Sequence, residues 1–193
     1  MTDNIDLPNE GTGARWANPL PGCFWSLSIG KYHQSGFGAK RKYGFHTGID
    51  LSCEHNQPLG TVEDGIVIAI RDFTNNKKKQ KPAPWLNRTR VILIEGETGV
   101  VAYCNVRERP GLRVGDLVDA GEIIGNVVRL NKKKRRKDKC MLHIELYTKE
   151  TKRRVSWSNS YPKPPQLLDP TDHLVDIISQ THVTRRRMHK PSL

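Results

Sequence analysis

Two short stretches of this sequence carry side chains that could bind a metal ion. The first, GFHTGIDL at residues 44–51, places His46 and Asp50 four positions apart. The second, CMLHIELY at residues 140–147, places His143 within an apolar run. A neutral imidazole and a carboxylate both suit Zn²⁺, and our hypothesis is that the three residues close around one metal ion. The spacing alone is a weak indication, because a lone histidine is more often a hydrogen-bonded structural residue.

The second stretch has the pattern of a β-strand with two different faces. Side chains alternate along a strand, so Met141, His143 and Glu145 are predicted to face one way and the leucines and isoleucine between them the other way. A histidine and a glutamate on one face fit a functional site and a solvated face equally well. If the site is real, Glu145 could orient a metal-bound imidazole.

Short strands must position these residues. The β-branched and apolar runs predict strands at residues 65–70, 91–95, 99–106, 123–128 and 142–147. Short strands separated by regular turn signals indicate a mainly β fold with an antiparallel sheet, and a sandwich and a barrel both stay open. A short C-terminal helix is predicted to begin near Asp169 or Thr171, because either side chain can cap a helix.

The length of 193 residues predicts one domain with additions at its ends. We assign residues 1–14 to a disordered leader, 15–180 to the domain and 181–193 to a basic tail. No stretch approaches the roughly 20 apolar residues that a membrane helix needs. The polar, acidic N-terminus also lacks the pattern of a secretory signal.

The formal net charge of +12 predicts an anionic partner or anionic surroundings. Nucleic acid, a phosphate-rich wall polymer and a membrane face all satisfy this prediction, and so does a soluble protein with solvated charges. The basic runs at residues 77–79 and 131–139, with the basic tail, support nucleic-acid binding as one alternative. These runs lack the interleaved aromatic residues that stack on bases, which disfavours that alternative.

The four cysteines give no metal-binding pattern of their own. Cys23, Cys53, Cys104 and Cys140 lie far apart and form no C-x-x-C pair, which disfavours a zinc ribbon. Without a secretory signal we expect them to be reduced. A disulfide between Cys53 and Cys140 stays open, because the two would come near each other if the two motifs meet.

Taken together, the motifs resemble those of the lysostaphin/LytM-type peptidoglycan metallopeptidases. GFHTGIDL and MLHIEL are similar to the two zinc motifs of that family. The SGFG turn at residues 35–38, the strands at 60–67, the glycine-rich hairpin at 114–125 and the ending at 168–170 follow in the family's order. The resemblance spans residues 30–175 and implies a compact, mostly antiparallel β-domain with a groove over its sheet.

By this resemblance, His46, Asp50 and His143 are the zinc ligands. Three protein ligands leave one position for water or substrate, as in catalytic zinc sites. The resemblance also implies the substrate, which is the peptide part of bacterial cell-wall peptidoglycan. A positively charged protein would be drawn to anionic wall polymers. A wall-cutting enzyme without a secretory signal suggests release by lysis or carriage in a phage particle.

Two positions depart from the family's pattern. The family has a histidine two residues before its last zinc ligand, where this chain has Met141. It has another histidine two residues after a tyrosine in an earlier strand, where this chain has Asn105. Neither a thioether nor an amide can transfer a proton at neutral pH. In the family these histidines assist catalysis, and we call them the helper histidines. By this resemblance, both are replaced here.

Two explanations of these replacements compete. In the first, the chain is an active peptidase with other helper groups, and the titratable candidates are His33, Tyr32, Tyr103 and Glu145. In the second, the chain is a degenerate homologue that keeps zinc for structure or for gripping a wall peptide. The methionine favours the second explanation, and an open set of three ligands favours the first.

Overall fold

A computed structural model describes residues 15–23, 33–73, 87–131 and 140–188, with side chains up to residue 179. The predicted leader at 1–14, the lysine run at 77–79 and the basic run from residue 132 to 139 lie outside the described residues. The nucleic-acid alternative, which depends on those basic runs, therefore stays untested.

The described residues form a nine-stranded antiparallel sheet, a small hairpin and one helix. The hairpin pairs β1 (Lys40–Arg41) with β2 (Gly44–Phe45). The large sheet has the order β11-β10-β7-β6-β5-β8, with β3 on β10 and with β9 between β4 and β7. Its strands are β3 (Ile49–Cys53), β4 (Pro58–Gly60), β5 (Gly65–Asp72), β6 (Arg90–Gly96), β7 (Val100–Glu108), β8 (Leu117–Val118), β9 (Ile123–Val127), β10 (Cys140–Tyr147) and β11 (Leu167–Leu168).

The prediction of a mainly β, antiparallel fold is confirmed, and the predicted strands correspond to β5, β6, β7, β9 and β10. The predicted helix is α1 (Thr171–Met188), which is longer than expected, so residues 181–188 of the assigned basic tail belong to it. Asp169 caps this helix, because its Oδ1 accepts a hydrogen bond from Thr171 N at 2.9 Å. Within the described part of the chain, no helix has the length and apolar content that crossing a membrane requires.

The two faces of the sheet bury two different apolar clusters. The larger cluster contains Leu142, Ile144 and Leu146 of β10, together with Leu174 and Ile177 of α1 and residues of most other strands. The smaller cluster lies on the opposite face and includes Ala102, Cys104 and Tyr147. The alternation predicted for residues 141–147 is therefore present, and His143 and Glu145 are on the face of the smaller cluster.

The pairing of β3 with β10 brings the two sequence motifs together. In this register Asp50 is directly opposite His143. Gly48 permits the close approach of the strands, because a Cβ there would lie 2.0 Å from the Ile144 carbonyl oxygen. Its φ is not positive, so space beside β10 is the reason for a glycine here.

The register also pairs Cys53 with Cys140 across β3 and β10. Both residues are free cysteines, as are Cys23 and Cys104. The two motifs therefore come together, which was the condition for a Cys53–Cys140 disulfide. The two thiols contact each other, but no disulfide joins them.

Candidate metal centre

Three side-chain atoms from the two motifs converge on one point. His46 Nε2 lies 3.1 Å from His143 Nδ1 and 3.3 Å from Asp50 Oδ1. Asp50 Oδ1 lies 2.8 Å from His143 Nδ1. A tetrahedral zinc ion with bonds of about 2.0–2.1 Å would have its ligand atoms about 3.3 Å apart. The triangle therefore has nearly the size that a zinc ion requires, and both histidines are buried.

The outer nitrogen of each imidazole determines which tautomer is present. His46 Nδ1 donates a hydrogen bond to the Gly36 carbonyl at 2.8 Å. His143 Nε2 donates one to Glu145 Oε1 at 3.0 Å. With the protons on these outer atoms, the inner nitrogens present lone pairs to each other and to the Asp50 carboxylate. Three lone pairs at this separation repel one another unless a cation lies between them, so these three ligand atoms fit a divalent metal.

Glu145 joins this centre to the rest of the structure. It is fully buried, with no exposed surface. Besides His143, its carboxylate accepts hydrogen bonds from Thr47 Oγ1 and from the Tyr147 hydroxyl, the latter at 2.8 Å. The Arg154 guanidinium binds both of its oxygens through Nε and Nη2. A carboxylate with this many partners holds the His143 ring in one orientation.

The ionisation of the two carboxylates suits metal binding. Burial alone would raise the pKa of Asp50, but the His143 and His46 imidazoles, when their inner nitrogens are protonated, outweigh burial and hold that pKa well below its usual range. Burial would likewise raise the pKa of Glu145, but the Arg154 and His143 hydrogen bonds lower it well below its ordinary value. Both groups are therefore anions at neutral pH.

The two positions of the missing histidines lie beside this centre on neighbouring strands. Asn105 is in β7, buried, with a positive φ of 64° at an irregularity where the pairing of β7 with β6 shifts. Its Nδ2 donates to the Met141 carbonyl at 3.3 Å, while its buried Oδ1 has no hydrogen-bond partner among the residues that the structure describes. Met141 is half-buried and, by alternation along β10, is on the same side as His143.

The structure does not bring every proposed helper residue to the metal centre. Glu145 contacts His143, but its oxygens are occupied and it is shielded from solvent, so it orients the ring and is unsuited to carry protons. His33 lies in an exposed turn, where its Nδ1 accepts a hydrogen bond from Ser35 N at 3.3 Å. Tyr32 lies outside the described residues.

Tyr103 belongs to the larger apolar cluster, on the sheet face opposite the metal centre. Its ring is fully buried, and its hydroxyl accepts a hydrogen bond from Val62 N at 2.9 Å. Burial raises the pKa of this phenol well above its ordinary value. Tyr103 is therefore placed as a structural residue.

Replacing Tyr103 with phenylalanine tests this placement. The variant should lower the free energy of unfolding by about 1–3 kcal/mol, because the buried Val62 N–H loses its partner. Metal content and catalytic rate per folded molecule should not change. Chemical denaturation and a metal assay measure the two effects. A folded Tyr103→Phe protein that keeps its metal but loses its activity would show that Tyr103 takes part in catalysis.

A second group of potential ligands, Cys104, His143 and Glu145, also lies close together. Burial raises the pKa of the Cys104 thiol well above its ordinary value, which keeps the sulfur protonated. The Glu145 oxygens are already bound by Arg154. This group is therefore a poor metal site, and the triangle of His46, Asp50 and His143 is the better one.

The sequence interpretation missed two arginines at the centre. Arg154 lies on the segment after β10, and no periodic pattern connects it to Glu145. Arg41, in β1, places Nη2 3.8 Å from Asp50 Oδ2 and also donates to the Gln34 carbonyl. Only the folded chain shows that these cations face the two carboxylates of the centre, although Arg41 is close to the first motif in sequence.

Comparison with known proteins adds an independent finding. The sequence model of peptidase family M23 matches residues 44–155, which include the three residues of the triangle as well as Glu145 and Arg154. A comparison with curated protein sequences finds no match.

Solved structures of similar fold include CbpA from L. salivarius REN, with a TM-score of 0.52 and 18% identity over 86% of this chain and 99% of that one. The catalytic domain of the antimicrobial peptidase lysostaphin from Staphylococcus simulans has a TM-score of 0.47 and 19% identity, over 72% of this chain and 89% of that one. A zinc-containing peptidase from Vibrio cholerae has a TM-score of 0.43 and 23% identity, over 63% of this chain and 34% of that one. At these identities the similarity to CbpA is one of fold.

Proposed function

This chain belongs to peptidase family M23, and from that membership we propose that it is a zinc endopeptidase that hydrolyses peptide bonds of bacterial cell-wall peptidoglycan. The observation that carries the proposal is the triangle of His46 Nε2, Asp50 Oδ1 and His143 Nδ1, with separations of 2.8–3.3 Å. Both imidazoles have their outer nitrogens occupied by acceptors, so the three inner atoms are free to hold a cation.

Each part of the centre has a separate task in this proposal. His46, Asp50 and His143 hold the metal, and Glu145 keeps His143 in the tautomer that presents Nδ1 to it. When bound, zinc would polarise the scissile carbonyl and lower the pKa of a water molecule. Arg41, beside Asp50 Oδ2, places a positive charge at the edge of the centre.

A degenerate homologue is the second candidate, and one specific observation favours it. Met141 and Asn105 stand where the resemblance predicts helper histidines, and neither side chain can accept or deliver a proton. Such a protein would keep the metal and bind wall peptides without cleaving them. The open set of three ligands supports the active form, because a structural zinc ion is usually closed by four protein ligands.

Digestion of purified peptidoglycan by the zinc-loaded full chain distinguishes the two candidates. An active enzyme releases new amino groups from the wall peptides, loses this activity to a chelator and regains it with added Zn²⁺. A protein that contains stoichiometric zinc, binds the wall and releases no amino groups would contradict the peptidase proposal and support the degenerate form.

Two broader expectations from the sequence stay predictions. A net charge of +12 should draw the protein to anionic wall polymers, with binding that weakens as salt increases. Release by lysis or carriage in a phage particle would be tested by looking for the protein in purified phage particles.

A further inference from the structure

A groove with a volume of about 610 Å³ lies beside the metal centre. We name it the basic groove. One side is formed by residues 41–45 and 47, which include most of the β1–β2 hairpin, and the other side by residues 154–157. The two sides are joined where Phe45 N donates to the Trp157 carbonyl at 2.8 Å. Thr47 and Arg154 line the groove and both contact Glu145, so the groove borders the residues that support the centre.

The charges that line the basic groove are all positive. Arg41, Lys42 and Arg154 contribute cations, and no acidic residue is among the described residues that form its walls. The charge of Arg154 is neutralised by Glu145, with which it forms a two-point ion pair. Lys42 is exposed and Arg41 is 35% exposed. Asp50 Oδ2, 3.8 Å from Arg41 Nη2, compensates part of the Arg41 charge, so Lys42 and the exposed part of Arg41 supply the positive charge that the groove presents.

Aromatic rings accompany these charges. Trp157 packs against Phe45 with 4.7 Å between ring centroids, and together they form an apolar wall. Tyr43, next to Lys42, is 77% exposed. An exposed aromatic ring beside an apolar wall and two cations is typical of a surface that binds a ligand with both apolar and anionic parts.

We propose that the basic groove binds a peptide segment carrying a free carboxylate, and that Arg41 and Lys42 select that carboxylate over an uncharged amide. This inference rests on the proposed function, and it adds a specificity to it. A guanidinium offers paired donors that match the two oxygens of a carboxylate, and an ammonium is attracted to its charge. A carboxamide is uncharged and has only one acceptor oxygen, so both cations would bind it more weakly. The apolar wall at Trp157 would hold the neighbouring part of the peptide.

The test uses two synthetic wall peptides that differ only in one side carboxylate, free in the first and amidated in the second. We expect the wild-type chain to cleave the free-acid peptide with a kcat/KM about tenfold higher, mainly through a lower KM, because the amide loses the charge-assisted contacts of one carboxylate with two solvent-accessible cations. The R41Q/K42Q variant should lose this preference. Lys42→Gln alone, which touches no metal-binding residue, should lose part of it.

The matched control removes two positive charges elsewhere. Lys40 and Lys149 are exposed and lie outside the basic groove, so K40Q/K149Q should keep the preference. Equal cleavage of the two peptides by the wild-type chain would overturn the inference. Equal loss of preference in both double variants would also overturn it, since that result indicates long-range attraction to the whole protein.

A binding measurement separates this inference from the proposed function. The affinity of the full chain for each peptide is measured by titration in the presence of a chelator, where no cleavage occurs. If the zinc-loaded protein cleaves neither peptide, the peptidase proposal fails, while tighter binding of the free acid would still support the groove's specificity. Tighter binding of inorganic polyphosphate, lost in R41Q/K42Q, would make it a site for phosphate polymers and overturn the inference.

Discussion

Replacing His143 with alanine should abolish both zinc binding and cleavage of peptidoglycan. The variant removes one of the three proposed ligands, so zinc affinity should fall by more than about 100-fold, beyond the effect of losing an outer partner of a ligand. The change also leaves Glu145 with one hydrogen bond fewer. Metal content by elemental analysis and release of amino groups from peptidoglycan measure the two losses.

Two variants keep this prediction independent of folding. Asp50→Asn preserves the shape of the side chain and should show the same loss of zinc, because a neutral amide is a poor zinc ligand. His55→Ala removes an exposed histidine outside the triangle and should leave zinc content and cleavage unchanged. A folded His143→Ala protein with stoichiometric zinc and normal cleavage would show that the triangle is not the metal site.

Replacing Glu145 with glutamine should destabilise the fold and weaken zinc binding together. The change leaves the Arg154 guanidinium without its charge partner; since that side chain is 27% exposed, we expect a loss of about 2–4 kcal/mol, somewhat below the range for a fully buried pair. Zinc affinity should fall by about 10–100-fold, because the outer partner of His143 is weakened. Chemical denaturation and competitive zinc titration measure the two effects.

An exposed ion pair supplies the control for this variant. Arg109 and Glu122 are in contact at 2.7 Å, with 38% and 32% of their side chains exposed. Glu122→Gln should therefore lower the free energy of unfolding by less than about 1 kcal/mol and leave zinc affinity unchanged. If Glu145→Gln lowers the free energy of unfolding and the zinc affinity no more than this control does, Glu145 does not anchor the centre as the structure indicates.

Local sequence patterns were sufficient to predict the sheet but not its pairing. The β-branched runs predicted β5, β6, β7, β9 and β10, because such side chains fit a pleated, half-buried surface. The very short strands β4, β8 and β11 were not predicted as separate elements, since two or three residues carry no periodic pattern. The helix beginning at Thr171 was predicted from its cap, but it extends into the residues that were assigned to the basic tail.

The residues around the centre divide in a similar way. Both motifs carry recognisable residue types at short spacing, so His46, Asp50 and His143 could be proposed from them. Tyr103 was a reasonable helper from its chemistry, yet the structure buries its hydroxyl against Val62 on the opposite face. Which face a strand residue occupies depends on the partners of that strand, and no short stretch of sequence contains them.

The sequence by itself determined the class of fold and the two motifs, because each of these depends on residue type and near-neighbour order; the replacement of both helper histidines is what the resemblance implies. The tertiary structure alone decided the register that sets Asp50 opposite His143, the pairing of Arg154 with Glu145 and the basic groove beside them. These depend on contacts between segments distant along the chain. Their geometry follows from packing and charge compensation in the folded protein, which local preferences do not encode.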